Sequence, residues 1–226
     1  MENEVNSKTV WDFPTRFFHW SVVSLFLLSW WSIEYDRVDI HHLSGYLLLA
    51  LLLFRITWGF VGSTTSRFSN FIHRPSTVLN YCKRLLVKDA GDTVGHNPLG
   101  GLSVIAMIAL LLAQIILGLF IEDVDGLAPG PLSHLVDYST NRWAAETHEV
   151  LFDVLLGVIA LHISAISFYL LYKKRNLISP MITGKMKLNV HTGIDIKPTW
   201  VALLIVISFA AALYWAFGES WLDLFS

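Results

Sequence analysis

Residues 147–172, THEVLFDVLLGVIALHISAISFYLLY, form an apolar run long enough to cross a bilayer as one helix. Two histidines interrupt it, His148 and His162, 14 residues apart. At 3.6 residues per turn that spacing returns the second side chain to within about 40° of the first. At about 1.5 Å per residue the two imidazoles share a face, roughly 21 Å apart along the axis. An ionisable group inside a span is costly and marks function, unless it only hydrogen-bonds a neighbouring helix. Two of them on one face, at different depths, suggest two ligand sites stacked across a membrane.

The rest of the chain agrees with a membrane setting. Of 226 residues, 54% are hydrophobic and only 15% charged, and the mean hydropathy is +0.54. The expected fold is all-α: an integral membrane bundle of four transmembrane helices plus a fifth at the C-terminus. Spans are expected at 17–33, 41–61, 99–121, 147–172 and 200–217. Asn97 can cap the third and Pro98 can occupy its first position. The apolar runs are continuous and too long for barrel strands, so strands are not expected. No internal repeat is visible. The polar, acid-bearing N-terminus is no signal peptide, so the first run should stay in the membrane. Cys82 is the single cysteine. It excludes an internal disulfide, a CxxCH haem attachment and a four-cysteine iron–sulfur cluster, and is expected on an amphipathic surface helix without chemistry.

The connections sort by charge. The N-terminus, Arg55 and the loops 62–98 and 173–198 carry 14 of the 16 basic residues; Arg37 and Arg142 lie on the other side. The positive-inside rule then puts the N-terminus in the cytoplasm and the C-terminus outside. The outer loops carry Glu34, Asp36, Asp39, Glu122, Asp123, Asp125, Asp137 and Glu146. Trp20, Trp30, Trp31, Trp58, Tyr172, Trp200 and Trp215 lie near span ends, as an interfacial belt does.

Counting depth from the outside pairs the histidines by level. His19 on the first span matches His162, and His41 or His42 on the second matches His148. Facing imidazoles from different helices are how a bundle holds a cofactor. A flat iron macrocycle with two axial histidines fits best, since zinc would need a tetrahedral set at each level. His41 is preferred to His42 because Gly45, four residues on, leaves room on the same face. Arg55 shares the His41 face at the inner level, and Arg16 is one turn before His19. Either could bind the propionates of the inner haem, although Arg16 fits positive-inside anchoring equally well. Arg37 and Arg142 are weaker candidates for the outer propionates. His73, His134 and His191 fall in loops. His96, in GHNPLGG, belongs to the turn that opens the third span or lies near a quinone. Gln114 is expected to hydrogen-bond across helices.

At WDFPTRFFHW (11–20), HHLSGYLLLALLLFRITWGFVG (41–62), GHNPLGG (95–101) and THEVLFDVLLGVIALH (147–162) the chain resembles a bacterial family. This family includes cytochrome b561 and the cytochrome b subunits of nickel–iron hydrogenases. The resemblance implies a four-helix bundle over 1–184, with two non-covalent, bis-histidine b-type haems. It implies His19, His41, His148 and His162 as ligands. Residues 185–226 would add an inner loop and a fifth transmembrane helix, a feature of the hydrogenase-like members.

The function this implies is electron transfer across the bacterial inner membrane, in a subunit of an oxidoreductase. Electrons would pass between quinone and a periplasmic c-type cytochrome or hydrogenase-type complex, with membrane lipid and no nucleic acid as further partners. The alternative is a stand-alone superoxide:quinone oxidoreductase, against which an acidic outer face argues by repelling an anion. A non-haem transporter using histidine proton relays is the third reading. The quinone is expected beside the inner haem, near His19, Arg55 and His96.

Overall fold

The computed structural model describes residues 6–87, 94–122, 129–188 and 193–223. Lys88, Asp123, Asp125 and His191 lie outside the described residues. The chain runs β1 (Asn6–Thr9), α1 (Phe13–Glu34), α2 (Val38–Val61), α3 (Phe68–Phe71), α4 (Pro75–Lys83), α5 (Pro98–Leu119), α6 (Tyr138–Leu171), α7 (Ile178–Thr183), β2 (Lys185–Leu188) and α8 (Thr199–Asp223). Four of these helices, α2, α5, α6 and α8 over Thr199–Phe217, are long and apolar enough to cross a membrane. The sequence reading has five spans. In α1, 22 residues long, three tryptophans, four serines and His19 dilute the apolar character.

The structure departs from expectation at the fourth span and in the loops. The fourth span starts at Tyr138 instead of 147, because Asp137 caps it through Thr140 N–H at 2.7 Å and the Ser139 hydroxyl at 2.8 Å. Its first turns are polar, so hydropathy alone does not find them. Short strands also exist, in the loops. β1 and β2 pair antiparallel, with Asn6 opposite Leu188 and Thr9 opposite Lys185.

Contacts divide the chain into two compact units. The first comprises Met1–His19, Arg55–Ala106 and Ile159–Leu203. Asp12 begins α1 by accepting Thr15 N–H at 2.8 Å and takes the Trp58 indole N–H at 3.0 Å. The β ribbon leads into this cap. Val10 and Trp11 are buried against Val94, Met181, Met186 and Ile194. Both donate backbone N–H groups to the Gly184 carbonyl, at 2.8 and 3.1 Å. Gly184 ends α7 with φ 81°, and a Cβ there would meet the Trp11 carbonyl at 2.8 Å. The 62–98 and 173–198 loops join the same unit. Thr64 N–H donates to Asp195 O at 3.0 Å, and Thr65 donates to Val10 O at 2.5 Å. So the three stretches that charge assigns to one side contact one another.

The second unit comprises Trp20–Phe54, Met107–Val158 and Leu204–Ser226. Its helices pack through aromatic rings. Phe152 of α6 stacks on Phe26 at 5.9 Å and meets Trp30 edge-on at 5.6 Å, both from α1. Tyr46 of α2 stacks on Phe217 of α8 at 5.7 Å. Such pairs add about 0.5–1.5 kcal/mol each beyond area burial.

Candidate haem-binding sites

The second unit brings His41 and His148 together. Their ring centroids lie 6.3 Å apart, with planes at 68°. His41 Nδ1 is 3.0 Å from the Ser29 carbonyl of α1, with the Ser29 hydroxyl at 3.1 Å. His148 Nδ1 is 2.9 Å from the Gln114 carbonyl of α5. A carbonyl only accepts, so each Nδ1 carries the proton and each Nε2 keeps a lone pair. That is the tautomer a metal-binding imidazole needs, oriented by its other nitrogen.

The interhelical bond expected of Gln114 is thus made by its backbone, and its Oε1 is buried with no partner among the described residues. The reason is Gly118. A Cβ there would stand 3.3 Å from His148 Cε1, so its absence lets the ring reach the carbonyl one turn earlier, which has a second lone pair to offer. Beside His41, a Cβ built on Gly45 meets nothing within 4 Å. His42 lies with its ring 6.4 Å from that of His41.

The first unit holds His19, His162, His96, Arg55 and Arg16. His162 lies within electrostatic reach of both His19 and His96. Arg55 is 2% exposed. It donates to the Ser66 carbonyl at 3.2 Å, sits 5.3 Å over Phe68 and 5.9 Å over Phe71, and feels the charge of buried Asp12. Arg16 donates to Ile182 O of α7 at 2.6 Å and sits 5.8 Å over Phe13. The guanidinium groups therefore brace the local loops.

His96 packs between Trp11 and Phe71, each 4.6 Å from its ring. Its Nδ1 is buried with no hydrogen-bond partner among the described residues. It borders a cavity of about 250 Å³ lined also by Thr64, Thr65, Asn70, Phe71, Val94, Gly193 and Ile194. The turn around it opens α5 as expected: Asn97 Oδ1 accepts Gly100 N–H at 2.8 Å, and Pro98 is the first helical residue. His73 and His134 are exposed in loops, and Cys82 is exposed on α4. Arg37 pairs with Asp39 at 2.9 Å and Arg142 with Glu146 at 3.5 Å.

Apolar helices carrying half-buried imidazoles define a membrane helical bundle of the cytochrome b class. The chain belongs to the prokaryotic cytochrome b561 family, whose profile matches residues 10–184. It is a transmembrane b-type cytochrome that takes part in electron transport, and its family binds b-type haem. Comparison with curated proteins and with solved structures gives no match.

The residues of the second unit fit such a group. A metal held between two opposed imidazoles, about 2 Å from each nitrogen, puts the ring centroids roughly 6 Å apart. The observed 6.3 Å matches that spacing; the Nδ1 bonds leave Nε2 of each ring as the nitrogen that would coordinate, and Gly45 leaves room beside His41.

Proposed function

We propose that this protein carries electrons across the bacterial inner membrane between quinone and a periplasmic redox partner, using two b-type haems. His41 and His148 would hold one, and His19 and His162 the other. The observation that carries this reading is the facing of His41 and His148 with both Nδ1 protons given to carbonyls. Bound haem supplies a one-electron iron couple; the chain holds and orients it and tunes its surroundings through ligand basicity, burial and nearby charge. Ser29 and Gln114 make their imidazoles stronger donors by accepting the Nδ1 protons.

In this reading α1 crosses the membrane as the first of five spans, residues 1–184 form the dihaem bundle, and 185–226 add a loop and the fifth, docking helix. The N-terminus is cytoplasmic and the C-terminus periplasmic, by the 14-to-2 division of basic residues. Arg16 and Arg55 stand near the inner haem as propionate partners. The quinone head group sits beside it, near His19, Arg55 and His96; the cavity at His96 and its unpartnered Nδ1 support that position. The acidic outer loops suit a basic partner, such as a c-type cytochrome or a hydrogenase-type complex.

The test is a redox titration of the purified protein in detergent. Two b-type components that respond to added quinol support the proposal. A colourless protein, lacking the sharp α-band of reduced b haem, overturns it. Transfer to a basic cytochrome should slow steeply as salt rises; indifference to salt would rule out a charged docking face.

A further inference from the structure

Residues 72–87 present an exposed face of mixed apolar and basic character. Tyr81 fixes which way α4 turns. Its hydroxyl is hydrogen-bonded to that of Tyr169, which also accepts from Asn97 Nδ2 at 3.0 Å. At about 100° per residue, Leu79 and Lys83 lie opposite Tyr81, with Cys82 beside them. Leu79 is 61% exposed and Leu86 69%, and Ile72 and Val87 are exposed as well. Scattered exposed apolar residues need no explanation. These four, however, lie among Arg74, Lys83 and Arg84, and no acidic residue falls between 72 and 87.

The depth of this segment is set by α6. Tyr172 donates to the Leu86 carbonyl at 3.1 Å, and Lys173 Nζ donates to the Val87 carbonyl at 3.2 Å. Both residues follow directly on a helix apolar enough to cross a membrane. Tyrosine and lysine are residue types that sit at the headgroup level, with apolar stems and polar tips. The segment is therefore tied to the depth at which hydrocarbon ends.

We infer that α4 is an in-plane interfacial helix that binds anionic lipid. Leu79 and Leu86 seat at the acyl boundary, and Arg74, Lys83 and Arg84 meet lipid phosphates of the same leaflet. Apolar area and basic charge together are what such binding needs. The reading is independent of which redox partner the protein serves.

The native sequence supplies the probe. Cys82 is the only cysteine and is exposed on this face, so a nitroxide attaches there without a substitution. The haem-loaded protein is placed in nanodiscs of phosphatidylcholine, with or without phosphatidylglycerol. Collisions of the label with oxygen should exceed those with a water-soluble nickel chelate, and more so in the anionic discs. Lys83→Gln should lower the ratio of immersed to lifted label about fivefold in anionic discs. Leu79→Gln should move the label toward water in both lipids, with the circular dichroism of the helices unchanged. Full exposure of the label to the chelate in both lipids overturns the inference. Immersion that ignores lipid charge overturns the anionic-lipid part. Label–label broadening would show a second copy covering the face instead, and would also overturn it.

Discussion

His41 and His148 face each other from α2 and α6 while donating their Nδ1 protons to Ser29 of α1 and Gln114 of α5. Four helices therefore meet at one pair of rings, and the main chain sets both ring orientations. If these rings are ligands, each pair should behave as a single unit. His41→Ala and His148→Ala should each delete the same component of a redox titration, and His19→Ala and His162→Ala should each delete the other. Within a pair, the double variant should lose no more than either single one, because residues serving one site are not additive. Loss of one component by His19→Ala and His148→Ala alike would refute the pairing. Loss of the outer component by His42→Ala would move the ligand by one residue.

Two glycines test the space around the outer pair. A Cβ at Gly45 meets no protein atom within 4 Å. Gly45→Leu should therefore leave the apoprotein folded, as read by circular dichroism, while excluding haem from that level. Gly118→Ala pushes against His148 Cε1 at 3.3 Å. It should lengthen the bond to the Gln114 carbonyl and shift the α-band and potential of the outer component only. An unchanged outer potential would mean that the carbonyl does not tune the ligand.

Asp12 is a keystone of the first unit. It is 1% exposed, caps α1, accepts from Trp58 and lies within electrostatic reach of Arg55. Asp12→Ala should destabilise the protein by about 1–3 kcal/mol, since it removes the cap of α1 and leaves the buried Trp58 indole N–H without its acceptor. Asp12→Asn, which keeps the oxygen at the cap, should cost less. Denaturation in detergent at fixed lipid content measures both.

His96 gives a pH dependence of defined sign. Burial beside Trp11 and Phe71 pushes it down to about 3, and the charges of Arg55 and then His162 act in the same direction. An unfolded histidine titrates near 6.5. The folded state thus stays neutral where the unfolded state takes up a proton. The stability involved is complete above about pH 6.5 and is lost as pH falls toward 3, by about 1.4 kcal/mol per pH unit. His96→Asn should flatten stability against pH by one proton between about pH 6 and 4. An unaltered slope would contradict the neutral, buried imidazole.

The helical periods made much of this visible in advance. Counting residues from the outer ends brings His41 to the level of His148, because every residue of a span advances by the same rise. Asn97 and Pro98 announced the start of α5 through their side-chain chemistry. What escaped notice is carried by the backbone. The Ser29 and Gln114 carbonyls leave no mark on sequence, since every residue has one. NSKT and KMKL are too short and too polar to read as strands until each has the other. The polar opening of α6 hides because hydropathy reports the membrane and not the helix. Gly118 was the one available signal for the Gln114 contact: a residue without a side chain, one turn after a polar position in an apolar helix.

The β ribbon has a consequence for biosynthesis. Asn6–Thr9 are made well before their partner strand, Lys185–Leu188. At about 5–20 residues per second, the opening strand waits roughly 10–35 s for its mate to be translated. Val10 and Trp11 wait with it, because Gly184, which receives both of their N–H groups, arrives at the same moment. The membrane spans before that point must be handed to the bilayer while Asn6–Thr9 are still unpaired. A chain released before Lys185 is made would leave Asn6–Thr9 with nothing to clasp, which gives cellular proteases a handle on incomplete chains.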